Sequence, residues 1–357
     1  MKFCNKCLSP IEEKNDFTLK LIKNEIENDT RDWVLGYSGG KDSSVLLALT
    51  LESIRKYNLD KKLRLVYCDT GVKIPLISSY VHKTLKTLKK ECSELNIYLE
   101  VNIAKPIIDD RFFVKVIGRG YPTPTNKFRW CTDRLRINPI KQIINPEDEI
   151  TLLLGVRRGE SIERDRTIKK HATEDYFRYK QVGNSKISIF SPIVDYSTRE
   201  IWETLKFKEF PKSIDFQTLG TLYKDAGAEC PIIKDPNGSP CGQGRFGCWT
   251  CTVVRKDKAV TSLVNEGYHE LGPLLNFRNW LAVARDNPDY RCHLRRNKQK
   301  GPGPMTLKAR KLILKKLKEA EKQSGISLIE TAEIKRIKEL WVKDENSVNY
   351  QLIEKSL

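Results

Sequence analysis

Between Trp33 and Ile54 the chain changes period. Trp33-Val34-Leu35-Gly36-Tyr37 is a short apolar run that reads as a buried strand. Val45, Leu46, Leu47, Leu49 and Ile54 then recur at spacings that fit the buried side of a helix. The rhythm repeats downstream. Residues 63–71 predict a second strand ending in Asp69-Thr70-Gly71, followed by a helix over about 75–95 and a third strand over 97–103. Strands are expected again at 150–155 and 187–193, and Ser197-Thr198-Arg199-Glu200 opens a helix with a capping box. Strands alternating with helices predict an α/β fold with a doubly wound, mostly parallel sheet. Residues 118–139 break the pattern with Gly- and Pro-fixed turns, and 259–285 read as a helix pair. Residues 305–322 and 329–343 form two basic helices beyond a Gly-Pro linker. Four segments result: an extension over 1–29, a nucleotide-binding core over 30–210, a cysteine-rich subdomain over 211–297 and a basic helical extension over 298–357.

The first chemistry lies where strand meets helix. Ser38-Gly39-Gly40-Lys41-Asp42-Ser43 must turn sharply and deliver backbone N–H groups to the helix start. Two glycines let a ligand approach the main chain. The free amides and the helix's positive end favour an anion, Lys41 adds a full charge, and Ser38, Ser43 and Ser44 add hydroxyls. This is a phosphate cradle. It is neither a Walker A loop nor a dinucleotide fingerprint, because Gly39 and Gly40 are adjacent and Asp42 follows the lysine.

Further candidates stand at strand ends. A carboxylate such as Asp69 at a strand's C-terminal end lies along the crevice where open parallel sheets bind ligands. Arg157, Arg158 and Arg164 follow the fourth strand and suit phosphate contacts, with a Glu-paired surface helix as the plainer reading. Lys127, Arg129, Arg134 and Arg136 surround Cys131, and such surroundings are expected to lower a thiol's pKa. Cys68 reads as a strand core residue. Cys230, Cys241, Cys248 and Cys251 fall in a turn-rich stretch that is easier to hold if metal crosslinks it; zinc and an iron–sulfur cluster both use thiolates, and spacing does not choose between them. Cys4 and Cys7 offer half a zinc site or two ordinary thiols.

Composition narrows the setting. Ten cysteines in 357 residues, with no apolar signal core over residues 1–7, predict thiols or metal ligands in a cytoplasmic protein rather than disulfides. No apolar run approaches the length that spans a bilayer, so no membrane segment is expected. Lysine and arginine outnumber aspartate and glutamate 64 to 46, a net charge of +18 that points to a polyanionic partner, nucleic acid before a membrane surface. The lysine face Lys308, Lys311, Lys315, Lys318 and Lys322 either tracks phosphates or simply faces solvent, beside an apolar stripe of Leu307, Leu314 and Leu317.

Ser-Gly-Gly-Lys-Asp-Ser resembles the PP-loop of the ATP pyrophosphatase superfamily, whose members have an adenine nucleotide alpha hydrolase-like fold and cleave ATP between the α and β phosphates. Asp69-Thr70-Gly71 is similar to a turn of phosphoadenosine phosphosulfate reductases. With Arg129-Trp130-Cys131-Thr132, the segment 154–161 and Arg245-Phe246-Gly247-Cys248-Trp249-Thr250-Cys251, the order resembles DndC-type sulfurtransferases of DNA phosphorothioation, including the SspD proteins. That resemblance implies ATP bound by Ser38, Gly39, Gly40, Lys41, Asp42, Ser43, Asp69, Gly71 and Arg157, with Mg²⁺ held by Asp42. It implies a 4Fe-4S cluster on Cys131, Cys230, Cys248 and Cys251, with Cys241 as the alternative to Cys230. Lys41, Asp42 and Cys131 would carry the chemistry: adenylation of a DNA backbone oxygen, then sulfur insertion. Implied partners are DNA, a cysteine desulfurase as sulfur donor and other phosphorothioation subunits, with room for a homo-oligomer. Two alternatives share the loop: a tRNA thiolation enzyme, and a reductase of adenylylated sulfate. Trp130-Cys131 stands where adenylylsulfate reductases carry tandem cysteines, which argues against the reductase.

Overall fold

The computed structural model describes residues 9–355 apart from 146, 160–161, 172, 174, 181–185 and 229–245. Six strands form one sheet in the order β3-β2-β1-β4-β6-β5. They are β1 (Asp32–Tyr37), β2 (Leu63–Cys68), β3 (Leu99–Ala104), β4 (Ile150–Leu153), β5 (Arg178–Lys180) and β6 (Ile187–Phe190). All neighbours pair in parallel except β5, which lies antiparallel on the β6 edge. The doubly wound α/β expectation is met. The fourth and fifth predicted strands end earlier than their apolar runs, and three-residue β5 had no pattern to announce it.

β1 is central because it can be buried on both faces. Trp33, Val34 and Leu35 are all fully enclosed. Trp33, Leu35 and Tyr37 join the large core beneath helices α1 (Pro10–Asn28), α2 (Lys41–Lys56) and α3 (Pro75–Glu94). Val34 points the other way, to a smaller core with Val66, Ala104 and Ile150, covered by the helix Asn138–Ile143 through Ile140 and Ile143. The chain runs outward from β1 through β2 to β3, then returns across the opposite face to β4 on β1's other side. The strand order therefore reverses between β1 and β4, and their C-terminal ends open the crevice in which such sheets bind ligands.

Residues beyond the sheet share its core. In the N-terminal extension, α1 places Ile11, Leu19, Ile22 and Ile26 in the main core, and Lys14 pairs with Glu200 at 2.8 Å. At the other end, the helices Leu307–Ser324 and Thr331–Glu345 pack on a π-helical turn, Val114–Gly118. Ile313, Leu317 and Ile337 complete the core there, Arg310 donates to Gly118 O, and Trp341 Nε1 donates to Ile117 O at 2.8 Å. The apolar stripe of the first helix is thus Ile313, Leu317 and Ala320, with Leu314 partly covered, rather than one running through Leu307. All five lysines of the expected face are exposed.

Candidate nucleotide and thiol site

The turn after β1 is a cradle of main-chain donors. Gly39 has φ +82°, and a Cβ there would lie 2.1 Å from Val81 Cγ2, so no other residue fits this backbone against α3. Gly40 caps α2 with extended backbone and accepts from Ser44 N and Ser43 Oγ, each at 3.0 Å. The amides are met by neutral hydroxyls: Gly40 N by Ser38 Oγ at 3.3 Å, Ser38 N by Ser43 Oγ at 3.2 Å and Lys41 N by Tyr223 OH at 3.1 Å. Hydroxyls in these places are what an anion at a helix start displaces. A Cβ on Gly155, just past β4, would lie 3.0 Å from the Asp42 carbonyl and Ser43 N, backbone atoms that cannot swing aside. β4 is thereby pressed against the start of α2.

Under the turn lies a compact charge group. Asp42 accepts from Arg157 Nε through one oxygen and lies 3.1 Å from Lys41 Nζ through the other. Arg157 also donates to Tyr196 O at 3.0 Å and to Thr198 Oγ1 at 3.4 Å. Lys41 and Arg157 are 5% and 3% exposed, so both cations are enclosed with the Asp42 carboxylate between them. Arg157, expected among the ATP contacts, is thus engaged beneath the cradle; Arg158 turns outward to Asp195 at 3.2 Å. Both Asp42 oxygens are occupied by cations, so nothing in this arrangement supports the expected Mg²⁺ ligation.

Sequence reasoning missed Tyr223, which comes from the helix Phe216–Asp225, about 180 residues from the amide it bonds. Its ring also lies under the Lys41 ammonium at 5.5 Å. Only an aromatic residue on the buried side of an amphipathic helix announces it, and that signal usually means core.

The Asp-Thr-Gly turn closes on itself. Gly71 N donates to Asp69 Oδ1 at 3.0 Å, His82 Nε2 and Lys105 Nζ lie 3.4 and 3.9 Å from Asp69 Oδ2, and Gly71 has φ +73° with open space where a Cβ would be. Beyond it the chain is stitched to the cysteine loop. Trp249 N donates to Val72 O at 3.0 Å, Lys73 and Cys248 form an isolated antiparallel bridge, and Thr70 Oγ1 lies 3.5 Å from Cys248 Sγ. Two motifs nearly 180 residues apart are thereby adjacent.

Cys131 sits in the short helical turn Trp130–Thr132, which runs into a π-helical turn, Asp133–Ile137. Trp130 stacks on Phe112 at 5.7 Å and donates Nε1–H to Pro122 O at 3.0 Å, so the residue before Cys131 is an aromatic wedge. The expected lowering of the Cys131 pKa is corrected here. Burial raises it first, and Cys248 and Cys251 add to the rise; Arg136 opposes them without winning. Two of the counted cations are drawn elsewhere, Arg134 to Asp110 at 3.5 Å and Arg129 to Asn126 at 2.9 Å. Cys68 behaves as a core thiol, pushed up to about 11 by burial.

Cys131, Cys248 and Cys251 are therefore near enough to feel one another, and their chemistry suits a thiophilic centre. Among the described residues, however, no group of three or more His, Cys, Asp or Glu side chains is arranged to hold a metal ion. Cys230 and Cys241, the two alternatives for a further ligand, lie outside the described residues, as do Cys4 and Cys7.

Lys73 was also missed. Its ammonium lies 3.5 Å from Ser38 O and 4.0 Å over the Tyr67 ring, between the cradle and Cys248. Burial pushes it down to about 8, while the Cys248 and Cys68 thiols pull the other way. A cation–π contact contributes about 0.5–2 kcal/mol, less than the several kcal/mol that burying an ion costs. An isolated lysine among apolar residues was the only signal in the sequence.

Among the described residues, no helix is long and apolar enough to cross a membrane. The family model described as the phosphoadenosine phosphosulfate reductase domain matches residues 32–254. Two curated relatives come from Methanocaldococcus jannaschii. The uncharacterized protein MJ0066 is 28% identical over 192 residues, 53% of this chain and 34% of that protein. The uncharacterized protein MJ0973 is 26% identical over 278 residues, 77% of this chain and 54% of that protein. The chain thus spans between a third and about half of the length of these relatives. Among solved structures, phosphoadenylyl-sulfate reductase from Candida auris, in a phosphate complex, has 13% identity and a TM-score of 0.35, covering 58% of this chain and 91% of that one. The U34-tRNA thiolase NcsA from Methanococcus maripaludis, with its 4Fe-4S cluster, has 16% identity and a TM-score of 0.31, covering 66% and 93%. Likeness at that level bears on neither substrate nor cofactor.

Proposed function

Because the chain belongs to the phosphoadenosine phosphosulfate reductase domain family, we propose that it is an ATP pyrophosphatase and sulfurtransferase acting on the DNA backbone. The observation that supports this reading is the stitching of the Cys248 loop to the turn after β2, whose Lys73 pairs with Cys248 and reaches Ser38 at the start of the glycine turn.

A non-bridging phosphate oxygen of DNA is a very poor leaving group. In the proposed reaction it attacks the α-phosphorus of ATP and expels pyrophosphate, which the amides around Gly39 and Gly40 and the Lys41 ammonium hold. A hydrosulfide then attacks the DNA phosphorus, and the original oxygen departs as part of AMP. Asp42 and Arg157 keep Lys41 in place from below. A 4Fe-4S cluster, if bound, would draw on Cys131, Cys248 and Cys251 together with Cys230 or Cys241, and would supply redox or sulfur-carrying chemistry. The proposed partners are DNA, a cysteine desulfurase and further phosphorothioation subunits. Trp130, wedged against Phe112 where a reductase of adenylylated sulfate has a second cysteine, favours group transfer over sulfate reduction.

The test is release of AMP and pyrophosphate by anaerobically purified protein given ATP, sulfide and DNA or tRNA, with iron and acid-labile sulfide measured on the same sample. AMP formation with DNA and sulfur recovered in DNA supports the reading. Sulfur recovered in tRNA assigns the same chemistry to the other nucleic acid. Lys41→Ala is expected to abolish AMP formation and leave any cluster absorbance intact.

A further inference from the structure

We propose that Lys73 is a substrate-contacting residue, its ammonium binding the α-phosphate of the nucleotide where the cradle meets the thiol loop. The inference rests on the nucleotide reading of the cradle and adds to it the group that holds the reacting phosphorus.

Lys73 stands at the boundary of the two halves of the site. Its Nζ reaches the carbonyl of Ser38, the first residue of the cradle, while its own backbone pairs with Cys248. An anion held on the Gly39 and Gly40 amides with a second phosphate directed toward the thiols brings that phosphate past Lys73. The ammonium is available for it. Among the described residues no carboxylate forms an ion pair with Nζ, and Asp69, on the turn that precedes it, is engaged by the Gly71 amide, His82 and Lys105. One carbonyl at 3.5 Å and the face of Tyr67 leave ammonium hydrogens for a stronger acceptor. The position is also fixed. The bridge that pairs it with Cys248, with Trp249 N donating to Val72 O at 3.0 Å, holds its backbone against the thiol loop. Lys41, at the start of the helix, would answer the terminal phosphates, while Lys73 reaches the cradle at its first residue, Ser38. A phosphorus atom gaining charge between them is stabilised from two directions.

The experiment compares AMP, which carries only the α-phosphate, with pyrophosphate, which lacks it, by isothermal titration of the full chain and of Lys73→Met and Lys73→Arg. Losing a hydrogen bond to a charged group is expected to weaken AMP binding by about tenfold or more in Lys73→Met. Pyrophosphate affinity and the unfolding midpoint should hold, and Lys73→Arg should recover most of the AMP affinity. Equal AMP affinity in wild type and Lys73→Met overturns the proposal. So does parallel loss of AMP and pyrophosphate binding with a lowered midpoint, which would make the lysine structural. Wild type that binds both ligands but never forms AMP with any nucleic acid would refute the sulfurtransferase reading and leave this comparison still decisive for Lys73.

Discussion

Arg157 and Asp42, 115 residues apart in sequence, share a charge-assisted hydrogen bond beneath the glycine turn. Each is nearly enclosed, and each holds what the other needs. Removing Arg157 leaves Asp42 with Lys41 alone, and a buried pair broken on one side costs about 3–5 kcal/mol. Arg157→Met is therefore expected to lower the unfolding midpoint strongly and to weaken ATP binding through a displaced Lys41. Arg157→Lys should recover only part of either, because a single ammonium cannot reach Asp42, Tyr196 O and Thr198 together. Thermal denaturation and ATP titration on both variants check this.

The left-handed Gly39 offers a sharper substitution. In Gly39→Ala the new methyl meets Val81 at 2.1 Å and the backbone must leave φ +82°, at a cost of about 1–2 kcal/mol for the dihedral alone. ATP affinity should fall by at least tenfold. Gly39→Ala combined with Val81→Ala removes the clash and not the dihedral cost, so partial recovery of binding is expected by calorimetry.

Tyr223 OH occupies the Lys41 amide that the cradle would present to a phosphate. Tyr223→Phe should cost about 1 kcal/mol of stability while leaving ATP binding equal or tighter. A tenfold loss of affinity would mean instead that the hydroxyl reaches the ligand.

Acid sensitivity should centre on Asp29. Burial alone would raise its pKa, but hydrogen bonds from Arg31 and Thr151 outweigh that and hold it well below the ordinary carboxylate range; Arg178 Nη2 lies 3.3 Å away. A carboxylate depressed in the fold stabilises fully above its unfolded pKa near 4 and loses that contribution as pH falls toward its folded value. Below about pH 4 the unfolded chain takes up the proton first, so stability should drop steeply there. Asp29→Asn should flatten that acid limb and cost about 2–4 kcal/mol at neutral pH, both readable from urea melts across pH.

The lysine face of the helix Leu307–Ser324 bears on the proposed DNA partner. Lys308, Lys315 and Lys322 are exposed, and replacing all three with glutamine should leave the fold intact. If these side chains meet phosphates, the slope of log affinity against log salt for duplex DNA should shrink by about 3. An unchanged slope would assign that face to solvent.

The glycine turn was legible in the sequence because its logic is local: strand, two glycines, lysine and helix lie in one stretch. The parallel sheet was legible for a related reason, since βαβ units write their period directly into the chain. What stayed hidden depends on contacts across long separations. Arg157 was rightly placed at the mouth of β4, but only the fold shows that it turns under the cradle toward Asp42. Cys131 sits among four basic residues in the sequence, yet Asp110 and Asn126 draw two of them off and burial decides the thiol's pKa. Lys73 gains its place only when the Cys248 loop folds back upon it. β5 is three residues long on a sheet edge, too brief for any periodicity.

Arg310 has no exposed surface, and its guanidinium reaches both Gly118 O and Asp344. A shortened chain ending at 297 would strip the π-helical turn of its lid, removing Arg310 and Trp341 from the carbonyls of Gly118 and Ile117 and taking Ile337 and Leu340 away from Gly118. The last sixty residues, so rich in lysine that they invite reading as a loose appendage, are a keystone for the very loop that leads to Cys131. Shorter versions of this protein made for crystallisation or assay should therefore keep them.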